Sequence, residues 1–189
     1  MSDDSEVAGN SGLIAKARCD SAAFVQLYRR HYDAVFRYCV HRLFERQIAE
    51  DVTSEVFLKV VQSFAYFKGN DERQFRNWLY RIATNAVNNH LRKTARRNAV
   101  LERLNEQASD ESCDGDGTTK DRLACLREAV LGLKPRYQTI ITLRFFENLK
   151  LIEIAEVLGS SPGTVRSQLA RALVKLRKKL AKEHTERLH

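Results

Sequence analysis

No run of apolar residues in this chain approaches the roughly 20 needed to cross a bilayer. The opening MSDDSEVAGN is acidic and polar where a secretory signal would be basic and then apolar. Together these absences predict a cytoplasmic protein with no membrane insertion. Cys19, Cys39, Cys113 and Cys125 lie far apart, without a Cys-x-x-Cys pair or a regular framework, which suits reduced thiols rather than a disulfide-stapled fold. His31, His90, His184 and His189 show no metal-ligand spacing, and Cys39 and His41, two apart on a predicted helix, face different directions. Asp51 and Glu55 could hold a metal in principle, but no partnered histidine or second carboxylate cluster supports one. A glycine-rich phosphate loop is also missing. The expectation is therefore no catalytic site, no metal and no cofactor.

What is present is a chain of 189 residues, 43% of them hydrophobic, enough for one medium domain or two small ones with cores. Its net charge of +8 favours a polyanionic partner, although charge alone does not separate nucleic acid from an acidic membrane surface.

Hydrophobic periodicity predicts helices throughout. A short one spans Leu13 to Arg18, and Asp20-Ser21 caps a longer one carrying Phe24, Leu27, Tyr28, Tyr32, Val35, Phe36, Cys39 and Leu43 at helical steps. The next, IAEDVTSEVFLKVVQSFAYF, turns Ala49, Val52, Val56, Val60 and Phe64 inward and Asp51, Glu55 and Lys59 outward. Pairing of Glu55 with Lys59 is worth about 0.2–0.5 kcal/mol and is the plain explanation of that outer face. Lys68 to Asp71 carry turn chemistry. In QFRNWLYRIATNAVNNHLRKTARR, Phe75, Trp78, Leu79, Ile82, Ala83 and Leu91 have core spacing, while Asn77, Arg81, Asn85, Asn88, Asn89 and Arg92 crowd another face. Asparagine is a mediocre helix former. Amides, guanidinium groups and neighbouring aromatics are the equipment for unstacked bases and their backbone.

From Ala108 to Lys120 the composition turns acidic and glycine-bearing, with five acids from Asp110 to Asp121. Charge balance and occupation of a basic channel in a partner both explain such a linker. Beyond it, Leu123, Leu126, Val130 and Leu133 mark a helix, Lys134-Pro135 breaks it, and YQTIITLRFFENL starts the next. Then Leu151, Ile154, Ala155 and Leu158 form a stripe that leaves Lys150, Glu153 and Glu156 outside. Gly159 stops that helix, and Ser161-Pro162 supplies an N-cap and a first-turn proline for another. On the last helix Val165, Leu169, Ala172, Leu173, Leu176 and Leu180 make the apolar stripe, and Arg166, Ser167, Ala170 and Arg171 share a different face. Two helices joined by such a turn match a helix-turn-helix, whose second helix can enter the major groove. An ordinary hairpin with solvated arginines has the same pattern, but the continuation KLRKKLAK adds positive charge, as phosphate neutralisation requires.

The predicted fold is all-α: two small helical domains joined by a flexible acidic linker. The boundaries are a leader 1–19, a first domain 20–98, a linker 99–120, a second domain 121–184 and a tail 185–189.

In this order the motifs resemble a bacterial RNA polymerase sigma factor of the extracytoplasmic-function type. AEDVTSEVFLKV resembles the polymerase-binding segment, FRNWLYRIATNAVNNHLR the promoter-melting segment and IAEVLGSSPGTVRSQLARAL the minus-35 reader. The resemblance implies that Asp51, Glu55 and Phe57 contact the beta-prime clamp helices of the core enzyme and that the second domain meets the beta flap. It implies a pocket for a flipped minus-10 base formed by Tyr80, Ile82, Ala83 and Asn85 with the loop Phe67 to Gln74, and DNA contacts from Asn88, Asn89 and Arg92. It implies minus-35 readout by Arg166, Ser167, Ala170 and Arg171, and control by a separate anti-sigma factor. A DNA-binding regulator of the LuxR type shares the helix-turn-helix but leaves the first domain unexplained; a sigma mimic that binds an anti-sigma protein without transcribing is the other rival.

Overall fold

Asp20 starts the first long helix as its position predicts: its side chain accepts the Ala22 N–H at 2.9 Å, satisfying one of the free donors of a helix N-terminus. The computed structural model describes residues 12–104 and 119–186, with side chains for 12–100 and 125–181. A short helix, α1 (residues 12–17), precedes α2 (Ser21–Leu43), α3 (Arg46–Ser63) and a 3₁₀ turn (Phe64–Tyr66). After a loop comes α4 (Glu72–Leu104), then α5 (Thr119–Leu131), α6 (Pro135–Ile141) running into a π turn (Thr142–Phe146), α7 (Leu151–Leu158) and α8 (Pro162–Glu186). Among the described residues there is no strand, and no helix is long and apolar enough to cross a membrane. The all-helical expectation therefore holds.

Both prolines sit in first turns, where the missing N–H has no helical partner to lose. The predicted end of the third long helix is revised, because α4 continues past Arg97 to Leu104, so residues 99–104 are helix rather than linker. The remaining linker positions 105–118, the leader through residue 11 and residues 187–189 lie outside the described residues.

Helices α2, α3 and α4 pack mutually around Leu27, Val35, Val56, Val60, Phe75 and Leu79. An aromatic cluster closes one end, with Phe24 edge-on to Phe64 at 5.1 Å and Phe67 against Trp78 at 4.8 Å. Inside, the Tyr38 and Thr84 hydroxyls pair at 2.8 Å. In the second unit α6 and α7 both pack on α8, burying Ile154, Val165 and Ala172.

The two units are docked on each other. One apolar core runs from Ala83 and Val87 of α4 through Ile140, Leu143 and Leu149 to Ile154 and Val157 of α7. Arg42 of α2 is fully buried at this junction and donates to Gln138 Oε1 at 2.5 Å and Asn88 Oδ1 at 3.0 Å. Amide oxygens thus accept from two nitrogens of a guanidinium that burial would otherwise penalise, while its buried Nε has no hydrogen-bond partner among the described residues. Docking also revises the reading of α7: Glu153, expected outside the apolar stripe, is only 6% exposed because α4 covers it.

Candidate nucleic-acid interface

Side chains from α3, the 3₁₀ turn and α4 converge on an open recess of about 430 Å³ lined by Lys59, Gln62, Ser63, Tyr66, Ile82 and Asn85. Lys59, Gln62, Ser63 and Tyr66 fall three, four and seven residues apart and so share one side of their segment. Ile82 and Asn85 face them from α4 at a three-residue step. Tyr66 is 82% exposed, and the Lys59 ammonium is held by Glu55 Oε1 at 2.5 Å. The set comprises an aromatic face, an apolar wall, amides and a cation, which is what an unstacked base with its phosphate requires.

Two of the residues expected here do not reach the recess. Ala83 is fully buried. Tyr80, 3% exposed, turns inward: its ring meets Tyr38 edge-on at 5.5 Å and its hydroxyl donates to Glu147 Oε2 at 2.7 Å. Burial and the adjacent carboxylate both push the Tyr80 phenol pKa upward, so it stays protonated and remains a donor. Both belong to the core stripe of α4, and burial of that stripe decides their direction. No residue of the loop from Phe67 to Gln74 lines the recess either. The Arg18 guanidinium ties that loop to α1, donating to Phe67 O and Gly69 O, each at 2.9 Å. The sequence pattern singles out Lys59 only as the partner of Glu55 and does not single out Gln62, Ser63 or Tyr66, although the spacing of the four along one side of their segment is readable.

The asparagine-rich face of α4 is also divided. Asn85 and Asn89 are exposed, the latter accepting from Arg92 at 2.8 Å. Asn88 serves Arg42, and Asn77 is buried against α7, donating to Glu156 Oε2 at 2.6 Å. Two of these amides are therefore explained by domain packing.

The second surface is built by the helix-turn-helix. Gly159 ends α7 in the left-handed region at φ 58°, which releases the chain into the turn. Ser161 Oγ then accepts the Thr164 N–H at 3.1 Å as the N-cap of α8. Val165 and Ala172 point into the core, which leaves Arg166, Ser167, Ala170 and Arg171 exposed together. Arg166 and Arg171 make no hydrogen bond or ion pair among the described residues. Lys175, Arg177, Lys178 and Lys179 extend the exposed positive charge along the same helix.

A third surface lies on α3, where Asp51 and Glu55 are exposed one turn apart. Phe57, expected beside them, is a correction. It is 5% exposed and packs on Tyr28 at 4.6 Å and Tyr32 at 5.7 Å, because it lies on the inward side of α3. Leu58 and Val61, each 58% exposed, are the apolar groups that α3 offers instead.

Comparison with known proteins returns one family. Residues 27–97 match sigma-70 region 2 and residues 123–176 match sigma-70 region 4. The chain is 33% identical over 163 residues to the ECF RNA polymerase sigma-E factor of Haemophilus influenzae, covering 81% of this chain and 85% of that one. It is also 33% identical over 173 residues to the ECF RNA polymerase sigma factor BldN of Streptomyces coelicolor, covering 90% of this chain but 65% of that longer one. The fold matches the sigma factor RpoE of Bartonella quintana, solved in complex with the anti-sigma factor NepR, with a TM-score of 0.61 at 18% identity over 84% of this chain and 96% of that one.

Proposed function

The chain belongs to the extracytoplasmic-function sigma factors of bacterial RNA polymerase, and from that premise we propose how its surfaces divide the work of initiation. The α8 face with Arg166, Ser167, Ala170 and Arg171 reads the minus-35 duplex. The recess under Tyr66 holds an extruded base of the minus-10 element between Ile82, Asn85 and Gln62, with Lys59 toward its phosphate. Asp51 and Glu55, together with the exposed Leu58 and Val61 of the same helix, dock on the clamp helices of the core enzyme. Carrying this division is one observation: unpartnered arginines and an open, base-sized recess stand on two separate helical units.

Energetics favour a subunit over a self-sufficient machine. Opening about ten base pairs gives up stacking of about 1.4 kcal/mol per step, on the order of 14 kcal/mol. Capturing a few bases at about 1–3 kcal/mol each covers part of that. The core enzyme, whose channel holds the separated strands, supplies the rest, and catalysis of synthesis belongs to it. The work is done in the cytoplasm, where polymerase and chromosome are. A separate anti-sigma protein restrains the factor, by analogy with the solved relative in complex with one.

Run-off transcription with purified core enzyme tests this function. Specific transcripts that depend on the chain are the expected result. Promoter binding without any transcript would favour the LuxR-type regulator, and binding to an anti-sigma protein without either would favour the mimic.

A further inference from the structure

The face of α4 that meets α7 carries three arginines and an asparagine that donate to acceptors of the second unit. Arg73 pairs with Glu156 Oε1 at 3.1 Å, Arg76 pairs with Glu153, and Asn77 donates to Glu156 Oε2 at 2.6 Å. One turn further, Arg81 donates to Glu156 O at 3.1 Å and Val157 O at 3.3 Å, carbonyls of the last turn of α7. These carbonyls are the negative end of that helix. The fit is close, since a Cβ added at Gly159 would stand 3.3 Å from the Arg81 guanidinium. Two carboxylates and a helix C-terminus therefore occupy positions where nucleic-acid phosphates would suit the same arginines. Two buried polar atoms, Asn77 Oδ1 and Arg76 Nε, are left without partners in this arrangement.

The docked form cannot read a promoter in full. Elements at minus 35 and minus 10 lie about 25 base pairs apart, on the order of 85 Å of duplex at about 3.4 Å per pair. A compact chain of this length has a radius of gyration of about 16 Å and a diameter on the order of 40 Å. Fourteen residues of sequence separate Leu104 of α4 from Thr119 of α5, and any chain of that length spans at most about 50 Å.

Resting on the function proposed above, we propose that Glu153 and Glu156 act as an internal stand-in for phosphate, latching the second unit onto Arg73, Arg76, Asn77 and Arg81. The free chain is thereby held shut. Release bares that strip of α4 as an additional contact for the DNA backbone, and the polyanion competes directly with the latch. Charge pairs of this kind weaken with salt, whereas the apolar contacts beside them do not.

The test uses the full-length protein with Glu156→Arg, which meets Arg73 with like charge, and independently Asn77→Asp, which sets a carboxylate against Glu156. Small-angle scattering should show a compact wild type and a radius of gyration several ångströms larger in both variants. The swapped pair Arg73→Glu with Glu156→Arg should return to the compact value. Binding to a duplex carrying both promoter elements should tighten several-fold in Glu156→Arg and fall below wild type in the swapped pair, which is shut again and has lost a backbone contact. An extended wild type, an unchanged radius in both single variants, or no recovery on swapping would overturn the latch. Run-off transcription on the same samples separates the two claims: no transcript from any variant, with the radius changes intact, rejects the sigma-factor function and leaves the latch standing.

Discussion

Replacing Tyr66 with alanine isolates the recess proposed to hold a base from everything else in the molecule. The ring is 82% exposed and makes no ring contact or hydrogen bond among the described residues. Its loss should therefore change folding stability by no more than about 0.5 kcal/mol, as for other surface substitutions. Stacking of one base on an aromatic face is worth about 1–3 kcal/mol. At about 1.4 kcal/mol per tenfold, that is a loss of about 5- to 140-fold in the equilibrium for open-complex formation. Asn85→Ala removes one neutral hydrogen bond of about 0.5–1.5 kcal/mol and should cost less, about 2- to 12-fold. Tyr66→Phe keeps the stacking face and should stay near wild type. Permanganate reactivity of unpaired thymines reads the open complex, and a pull-down with core enzyme checks that assembly is intact. Wild-type permanganate reactivity in Tyr66→Ala, with normal assembly, would refute the assignment of this recess to an extruded base.

Further outcomes follow from the other surfaces. Asp51→Arg or Glu55→Arg should weaken association with core enzyme by more than about tenfold, since like charges set against each other at an interface cost several kcal/mol. An unchanged pull-down would return Glu55 and Lys59 to the role of an ordinary surface pair. Arg171→Ala should cost about 1–3 kcal/mol of promoter affinity and relax preference at one minus-35 position if it reads a base edge; uniform weakening on all sequences in a competition assay would assign it to phosphate instead. Acid should destabilise the fold through His31, whose pKa is lowered chiefly by burial, against the opposing pull of Glu72 and with help from Arg30 and Arg76. The unfolded chain then takes up the proton first, so stability present above the unfolded value of 6.5 is lost as pH falls below it, with a slope of at most about 1.4 kcal/mol per pH unit. Urea midpoints between pH 5 and pH 8, roughly bracketing that value, should show the slope in the wild type and its loss in His31→Gln. Cys39 is fully buried and burial pushes its thiol up to about 11, so native-state alkylation should reach exposed Cys19 and spare Cys39 until the chain unfolds.

Local chemistry in the sequence was enough to place the helices and their ends. Asp20, Gly159 and the Ser161-Pro162 pair act where a side-chain acceptor, a left-handed residue and a first-turn proline are needed, and each does so through atoms within three or four residues of itself. The exposure of Arg166, Ser167, Ala170 and Arg171 was legible for the same reason, since Val165 and Ala172 fix the rotation of α8 and no described residue buries its far side. Periodicity states which way a side chain points about its own helix axis, and no more than that. Which neighbour lies over a polar face is a property of the assembled chain. Glu153 and Asn77 read as outward residues and became buried partners because α4 and α7 meet there. Phe57 was carried over as a contact residue from motif position alone, and the packing of α3 on the Tyr28 and Tyr32 rings turned it inward. The recess under Tyr66 required α3 and α4 to come together at one particular register, which no stretch of sequence encodes by itself. Sequence determined the helices, their caps and the exposed arginine-bearing side of α8, all set by neighbours along the chain; tertiary structure decided the recess under Tyr66 and the docking of the two units, both made by contacts between residues distant in sequence.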